Sequence, residues 1–597
     1  MCGIAGIIST SSISQCMASK VEAMQAQLNH RGPDANGLYS ATSSQAILAH
    51  TRLSIIDLSS NAAQPMSSNN GRFTITYNGE IYNYKELYKH LTTLGYKFTS
   101  QSDTEVILNL YSEYGSKCVE HLRGMFSFCI WDEVSKVAFA ARDPLGIKPF
   151  YYWHNDQSLA FSSELRPLIN SGLSHQSLDY SGLYSYFKTG SVSEPKTLIS
   201  DIKQLQAGCY IVWKDGQIKE TNYWQVDFSH RVKISYSEAI KLTRQALNDS
   251  IKAHLVSDVP ISLFLSGGID STAILALINA NTNLKVNTYS IAFEEDEWNE
   301  GPIAQRVADH FGSNHTELLL TKNKAQKIYN DYITAIDQPS IDGFNTFCIS
   351  KLAHEHGEKV VLSGLGGDEV FAGYKSFELL PKMVKASKCL KLIAPAIRGF
   401  ANLFTPLLSI KLRRTFDFLS EPNSLIAAHQ SLRCVFSKKE ASVLTPQFVN
   451  SNQGATIEVC KQDKNQQAIS DKISQLELSS YMRNQLLRDS DVMSMHWGLE
   501  LRVPLVDATL IDTIAVLPAE FRLKKGKQLL IDSVPEIPEW VYNRPKQGFR
   551  FPFDLWFQEQ WQHPEKLDLT NKWIKLQPWY RQWSLQILTQ WMKQHVK

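Results

Sequence analysis

No stretch of the sequence is both long enough and apolar enough to cross a bilayer, and the N-terminus has no basic segment leading into an apolar run. The nearest candidate, residues 390–410, is broken by Pro395, Arg398 and Pro406, which predicts buried or packed helices in place of a membrane span. The nine cysteines are scattered, with no C-x-x-C pair and no Cys/His ladder. Such a pattern argues against a disulfide scaffold and structural zinc, and suits a reducing compartment. Charge of one sign is not in excess either: 61 Lys and Arg face 59 Asp and Glu, leaving +2, so no global field would hold nucleic acid or an anionic membrane. Internal repeats and low-complexity tracts are missing too. The remaining expectation is a soluble, cytoplasmic protein of 597 residues, 43% of them hydrophobic, long enough for at least two cores.

The rhythm of the chain changes once. Up to about residue 210 short strands dominate: Phe73 to Tyr77 alternates with period two, Met125 to Trp131 is an aromatic apolar run, and Val137 to Ala141 precedes a Pro/Gly turn, with one helix expected around Thr104 to Glu113. From about residue 236, strand-like Pro260 to Leu265, Val286 to Phe293 and Lys359 to Leu362 alternate with helical patterns such as Ser271 to Ala280, which predicts a parallel sheet covered by helices. Gln206 to Phe228 reads as a last hairpin leading into a connector, and Ser235 begins a new helix. The expected domains are therefore 1–210, a connector 211–235, and 236–597.

Cys2 follows the initiator methionine. With Met1 removed it would carry both a thiol and an α-amine of pKa about 7.7–8.0, so nucleophile and base would share one residue. Position alone favours an incidental cysteine. The argument changes when Met1-Cys2-Gly3-Ile4-Ala5-Gly6 is set beside His30-Arg31-Gly32-Pro33-Asp34, Arg52, Tyr77-Asn78-Gly79-Glu80 and Ser102-Asp103-Thr104-Glu105. These blocks, in this order, resemble the N-terminal-nucleophile (class II) glutaminase domain, whose fold is an α+β four-layer αββα sandwich. The resemblance implies that Cys2 attacks glutamine, that Asn78 and the Gly79 N–H stabilise the oxyanion, and that Arg52 and Asp103, with Asn78 and Gly79, hold the amino acid. The charge signs agree: an Arg fork suits a carboxylate, and an Asp suits an ammonium. Taken singly, Arg52 would be a surface ion-pair partner, Asp103 a helix N-cap and Asn78-Gly79 a hairpin turn. Arg142 to Pro149 also matches the family, but reads as a shaped turn without a catalytic role.

In the second half, a strand-like run enters Ser266-Gly267-Gly268-Ile269-Asp270-Ser271 and then a helix. Glycines there expose N–H groups, the helix start favours an anion, and the serines add hydroxyl donors. The G-K-[ST] ending of a Walker loop is missing, so adenylation is expected over γ-phosphoryl transfer. A second strand end gives Ser363-Gly364-Leu365-Gly366-Gly367-Asp368-Glu369. Asp368 should face Asp270 across neighbouring parallel strands, the pair holding Mg²⁺ on ATP. With Arg502 to Asp507 and Arg544 to Phe549, these motifs resemble the ATP-pyrophosphatase synthetase domain of the glutamine-hydrolysing asparagine synthetases, and the likeness runs over nearly the whole chain.

That resemblance implies ATP and pyrophosphate at Leu265, Ser266, Gly267, Gly268, Asp270, Ser271, Ile291, Ser363 and Gly364, metal at Asp270 and Asp368, and a catalytic Lys546, with Lys527 the weaker candidate. It implies conversion of aspartate to asparagine through an acyl-adenylate, fed by ammonia along a covered internal passage. Its partners would be glutamine, ATP and a carboxylate acceptor; the oligomeric state is open, a homodimer included. The match departs at Leu365, where asparagine-forming members usually carry glutamate. A leucine cannot take a proton or meet an ammonium, which opens the alternative of another carboxylate, such as a sugar uronate. The aromatic, basic C-terminal stretch is read as packing, because Trp583, Ile587 and Trp591 share a helical face.

Overall fold

The computed structural model describes residues 1–449, 468–544, 551–558, 571 and 573–596. Two six-stranded antiparallel sheets build the first half. One runs in the order Ile202–Gln204, Tyr151–His154, Ser158–Ser162, Gly3–Ser9, Ala46–Arg52, Ala35–Ser40, and the other Gln217–Asn222, Cys209–Lys214, Val137–Arg142, Gly124–Asp132, Phe73–Ile81, Met66–Ser67. The sheets meet where Gly3–Ser9 and Ala46–Arg52 lie against Phe73–Ile81; helix Gln15–Gln27 covers the first sheet and helix Asp103–Tyr114 the second. These are the four αββα layers expected. Because Gly124–Asp132 is covered on both faces, Met125 to Asp132 is buried throughout, which is why that strand reads as an unbroken apolar run.

The second half holds a five-stranded parallel sheet, ordered Asn314–Leu319, Asn287–Ala292, Ile261–Phe264, Val360–Leu362, Glu500–Arg502. Strand order reverses beside Ile261–Phe264, and the crevice outside the carboxyl ends at such a switch point is where ligands bind in open parallel sheets. Helix Ile269–Asn281 follows that strand and is buried from Ser271 to Ile278, as its nearly uniform apolarity requires. Cys209–Lys214 and Gln217–Asn222 form the expected hairpin, and Ser235 caps helix Tyr236–His254 with a reciprocal Ser235/Glu238 capping box.

Two local readings are corrected. Residues 390–410 do include helix Ala394–Phe404, but packing covers the stretch only in part: Leu392 and Leu407, on either side of the helix, are 94% and 83% exposed. Asn78-Gly79 forms no hairpin turn; it lies inside the nine-residue strand Phe73–Ile81. The C-terminal tryptophans pack as expected, since Trp583 and Trp591 are buried on helix Trp579–His595. Among the described residues no helix is long and apolar enough to cross a membrane.

The two halves are joined by buried charge. Asp491 receives Arg31 at 2.8 Å and Lys148 at 2.9 Å, all three side chains essentially inaccessible. Arg123 grips Asp507 through two nitrogens, at 3.1 and 3.0 Å. Removing one member of such a cluster leaves its partners charged and dry, which costs about 3–5 kcal/mol. Asp491→Ala is therefore expected to lower the unfolding free energy by about that amount. An unchanged denaturation midpoint would show that the cluster does not hold the interface.

Candidate functional site

Two clusters of the anticipated residues form. In the first, Cys2 sits at the head of strand Gly3–Ser9, which is pinned between Ala46–Arg52 and Ser158–Ser162. With Met1 in place, the Cys2 nitrogen donates to Asn78 Oδ1 at 3.0 Å and the Cys2 carbonyl accepts from Arg31 Nε at 3.1 Å. The other amide atom of Asn78, Nδ2, is buried and has no partner among the described residues, a donor ready for an oxyanion. At Gly79 a Cβ would meet Met125 O at 2.2 Å, so only glycine lets the strand backbone lie this close.

Arg52 is aimed by two carbonyls, Ser59 O at 2.9 Å and Asp57 O at 2.5 Å. Asp103 accepts from Tyr77 Oη at 2.8 Å and from the Ile81 N–H at 3.1 Å, while the N-cap of its helix is Ser102. Cys2, Arg52, Gly79 and Asp103 line one small cavity with Met1, about 30 Å³ in volume. Glutamine therefore needs neighbouring side chains to move, and loss of Met1 would open the cavity beside the thiol. Burial pushes the Cys2 thiol up, against the Met1 ammonium, the Leu53 N–H and Arg52, which pull it down.

The second cluster occupies the switch point. Ser266 Oγ and Ser271 Oγ lie 3.2 Å apart, and Ser266 Oγ accepts from the Gly268 N–H at 3.3 Å, which curls the loop over the start of helix Ile269–Asn281. Gly267 has φ +69°, and a Cβ there would strike Ile303 at 2.7 Å. The second loop presses directly on the first: a Cβ at Gly364 would meet Ser271 N at 2.8 Å, and one at Gly367 would meet Asp270 Oδ1 at 2.1 Å. The cavity between the loops is about 540 Å³ and is lined by Leu265, Ser266, Gly268, Asp270, Ser271, Ile291, Ser363, Gly364 and Asp368, so of the anticipated nucleotide residues only Gly267 stands behind its wall.

Asp270 and Asp368 converge on one cation, the buried ammonium of Lys527, which lies 2.5 Å from Asp270 Oδ2 and also pairs with Asp368 Oδ1. Burial alone would lower that ammonium's pKa, but the two carboxylates hold it above the ordinary lysine range. Lys546 lies outside the described residues, and the lysine found at the centre is Lys527, held there in a left-handed conformation at φ +62°. A lone lysine in a loop gives little signal in sequence, which is why it looked the weaker candidate. Leu365 does line this cavity.

Known proteins match along nearly the whole length. The model of a glutamine amidotransferase domain fits residues 1–224, and the asparagine synthase model fits 242–582. The chain belongs to the asparagine synthase family. It is 30% identical to asparagine synthetase [glutamine-hydrolyzing] 1 of Bacillus subtilis, over 96% of this chain and 89% of that one. Against asparagine synthetase B [glutamine-hydrolyzing] of Escherichia coli it is 32% identical, over 64% and 66%. A fungal relative from Gibberella zeae, amidase chry2, is 27% identical over 93% and 90%. As a member of the asparagine synthase family carrying both domains, the chain is a glutamine-hydrolysing ligase that uses ATP as co-substrate.

The motifs gave no notice of Glu300, which also lines the cavity between the two loops. Burial raises its pKa to about 7, with Arg544 pulling it back down. As pH rises through that value the side chain gains a negative charge in the cavity where the glycine loops are expected to take ATP. The KM for ATP should therefore climb several-fold between about pH 6 and 8 in the native enzyme and stay flatter in Glu300→Gln. Identical profiles for the two proteins would remove Glu300 from the site.

Proposed function

We propose that the chain frees ammonia from glutamine at Cys2 in residues 1–210 and adds it, beyond the connector 211–235, to an ATP-activated carboxylate in residues 236–597, working in the cytoplasm. Cys2 Sγ attacks the side-chain amide carbon of glutamine, the Asn78 amide and Gly79 N–H receive the negative oxygen, ammonia leaves with the thiol proton, and water then cleaves the thioester to release glutamate and restore the thiol. Arg52 and Asp103 hold the two charged ends of the substrate. In the second site the acceptor's carboxylate oxygen attacks the α-phosphorus of ATP, pyrophosphate leaves, and an acyl-AMP forms. Ammonia then attacks the acyl carbon through its lone pair, the C–O bond to AMP breaks, and a proton is lost, giving an amide and AMP. A covered route between the sites keeps ammonia from being protonated on the way.

The observation that carries this reading is the convergence of Asp270 and Asp368 on one cation at the sheet's switch point, in a chain whose buried Cys2 lies against the Asn78 amide. Two carboxylate oxygens aimed at one point form a hard donor set that fits Mg²⁺, with phosphate oxygens and water completing its shell. Mg²⁺ bound there would neutralise charge on the triphosphate. Lys527, released from the carboxylates, can reach the same phosphates, a role that Lys546 would share.

The names of the relatives support aspartate as the acceptor, with asparagine as product. A second reading, another carboxylate such as a sugar uronate, is favoured by one observation: Leu365 puts an apolar side chain on the cavity wall where a polar partner for the aspartate ammonium is wanted. Cys2→Ala is expected to abolish glutamine-dependent synthesis and leave the ammonia-dependent reaction near its native rate. Equal loss of both would sink the two-site account. Asp270→Asn should suppress pyrophosphate release by about 10²-fold or more with either nitrogen source; native-like release would remove its proposed role.

A further inference from the structure

A second cavity, larger than the nucleotide cavity at about 810 Å³, lies directly behind it. The two share Asn345, whose buried Oδ1 has no partner among the described residues. They also share a wall. Tyr374 of the nucleotide cavity and Tyr481 of the larger one stand 6.1 Å apart between ring centres, and the Arg433 guanidinium covers both rings at 4.4 and 4.0 Å. Arg433 is held in turn by Glu477 at 2.8 Å. Asn345 thus sets one buried, unpartnered polar atom between the nucleotide cavity and a space of the size that encloses drug-sized ligands, about 300–1,000 Å³.

The lining indicates what would fill that space. Trp298, Trp579 and Tyr481 offer flat apolar faces, while Ser191, Asn484 and Gln485 offer neutral donors and acceptors. Glu477 faces both Arg433, at 2.8 Å, and His429. Arg414 gives Nη2 to Tyr580 Oη at 2.7 Å, and its buried Nε has no partner among the described residues. Among the described residues, Glu297, Asp342 and Asp554 stand on the same lining as Arg414 and Arg433. Rings beside scattered hydroxyl and amide groups suit a neutral, ring-sized, hydroxyl-rich body, whose C–H faces lie on the aromatics and whose hydroxyls bond the polar side chains. A four-carbon amino acid would leave most of the volume empty.

We propose that this cavity holds the body of the acceptor, and that the acceptor is a carboxylate borne on a polyhydroxylated ring, a hexuronate or its glycosyl-nucleotide form, with its carboxylate passing Asn345 towards ATP. The inference rests on the amidotransferase reading above and selects the second of its acceptors. The reaction balances as before: carboxylate, ATP and ammonia give carboxamide, AMP and pyrophosphate.

The test measures pyrophosphate release with ammonium as nitrogen source and, in turn, glucuronic acid, galacturonic acid, UDP-glucuronic acid and aspartate. Native enzyme is compared with Gln430→Trp, which fills the cavity from a half-buried position on helix Leu425–Arg433. Glutamate formation from glutamine serves as a folding control. The expected result is release with a uronate, free or nucleotide-linked, and little with aspartate, together with a rise of tenfold or more in the uronate KM in Gln430→Trp at unchanged KM for ATP. The arm with the lower KM identifies the source of the ring. Release with aspartate alone would overturn the inference and leave the amidotransferase reading intact. A uronate KM unchanged in Gln430→Trp would overturn the cavity's assignment. No release with any of the four, beside normal glutamate formation, would overturn the inference and count against the synthetase reading with it.

Discussion

The constraint on which both sites depend is the burial of Arg502 between them. It ends the last strand of the parallel sheet, and its main-chain carbonyl accepts from the Ser363 N–H at 2.8 Å, fixing the loop that faces the nucleotide cavity. Its side chain reaches the other domain, where Nη2 lies 3.2 Å from Glu80 Oε2, one residue beyond Gly79. Nε meets Glu500 Oε1 at 2.6 Å, and Glu500 also pairs with the Met1 ammonium at 3.2 Å. Burial drives the Glu500 carboxyl upward, yet Arg502 and the ammonium outweigh it and hold Glu500 below the usual carboxylate range. Buried ion pairs of this kind contribute little net stability over well-packed apolar groups, but they penalise any other docking severely. Their effect here is to fix one geometry between a nucleophile and a nucleotide loop far apart in sequence.

The same geometry accounts for the tightness of each site. Glycine is required at 79, 364 and 367 because main chain must pass within contact distance of main chain or of Asp270. Asn78 Nδ2 has no partner among the described residues while its Oδ1 is fixed by the Cys2 nitrogen, and Lys527 holds the carboxylates of Asp270 and Asp368 on one point, so each group is oriented before any ligand arrives.

Much of this was legible in the residues. Period-two alternation found strand Phe73–Ile81, βα alternation found the parallel sheet, and the glycine loops lie on the cavity at the switch point because each follows a strand there. Less legible were features set by distant partners. Lys527 shows its importance only when two carboxylates from separate loops close on it, and Glu300 only when burial shifts its proton. Hydrophobicity misjudged residues 390–410, where leucines stay exposed, because composition records how apolar a segment is and not what lies against it. The size of the space behind Asn345 is a property of packing, and no short motif encodes it.

The central claim is that ammonia made at Cys2 is consumed at the other site without leaving the protein. The measurement that bears on it most directly uses glutamine labelled with ¹⁵N at the side-chain amide, with unlabelled ammonium added below the concentration that supports synthesis on its own. The account predicts a product amide that keeps essentially all of the label at every ammonium concentration tried. Dilution of the label in proportion to the ammonium in solution would contradict it.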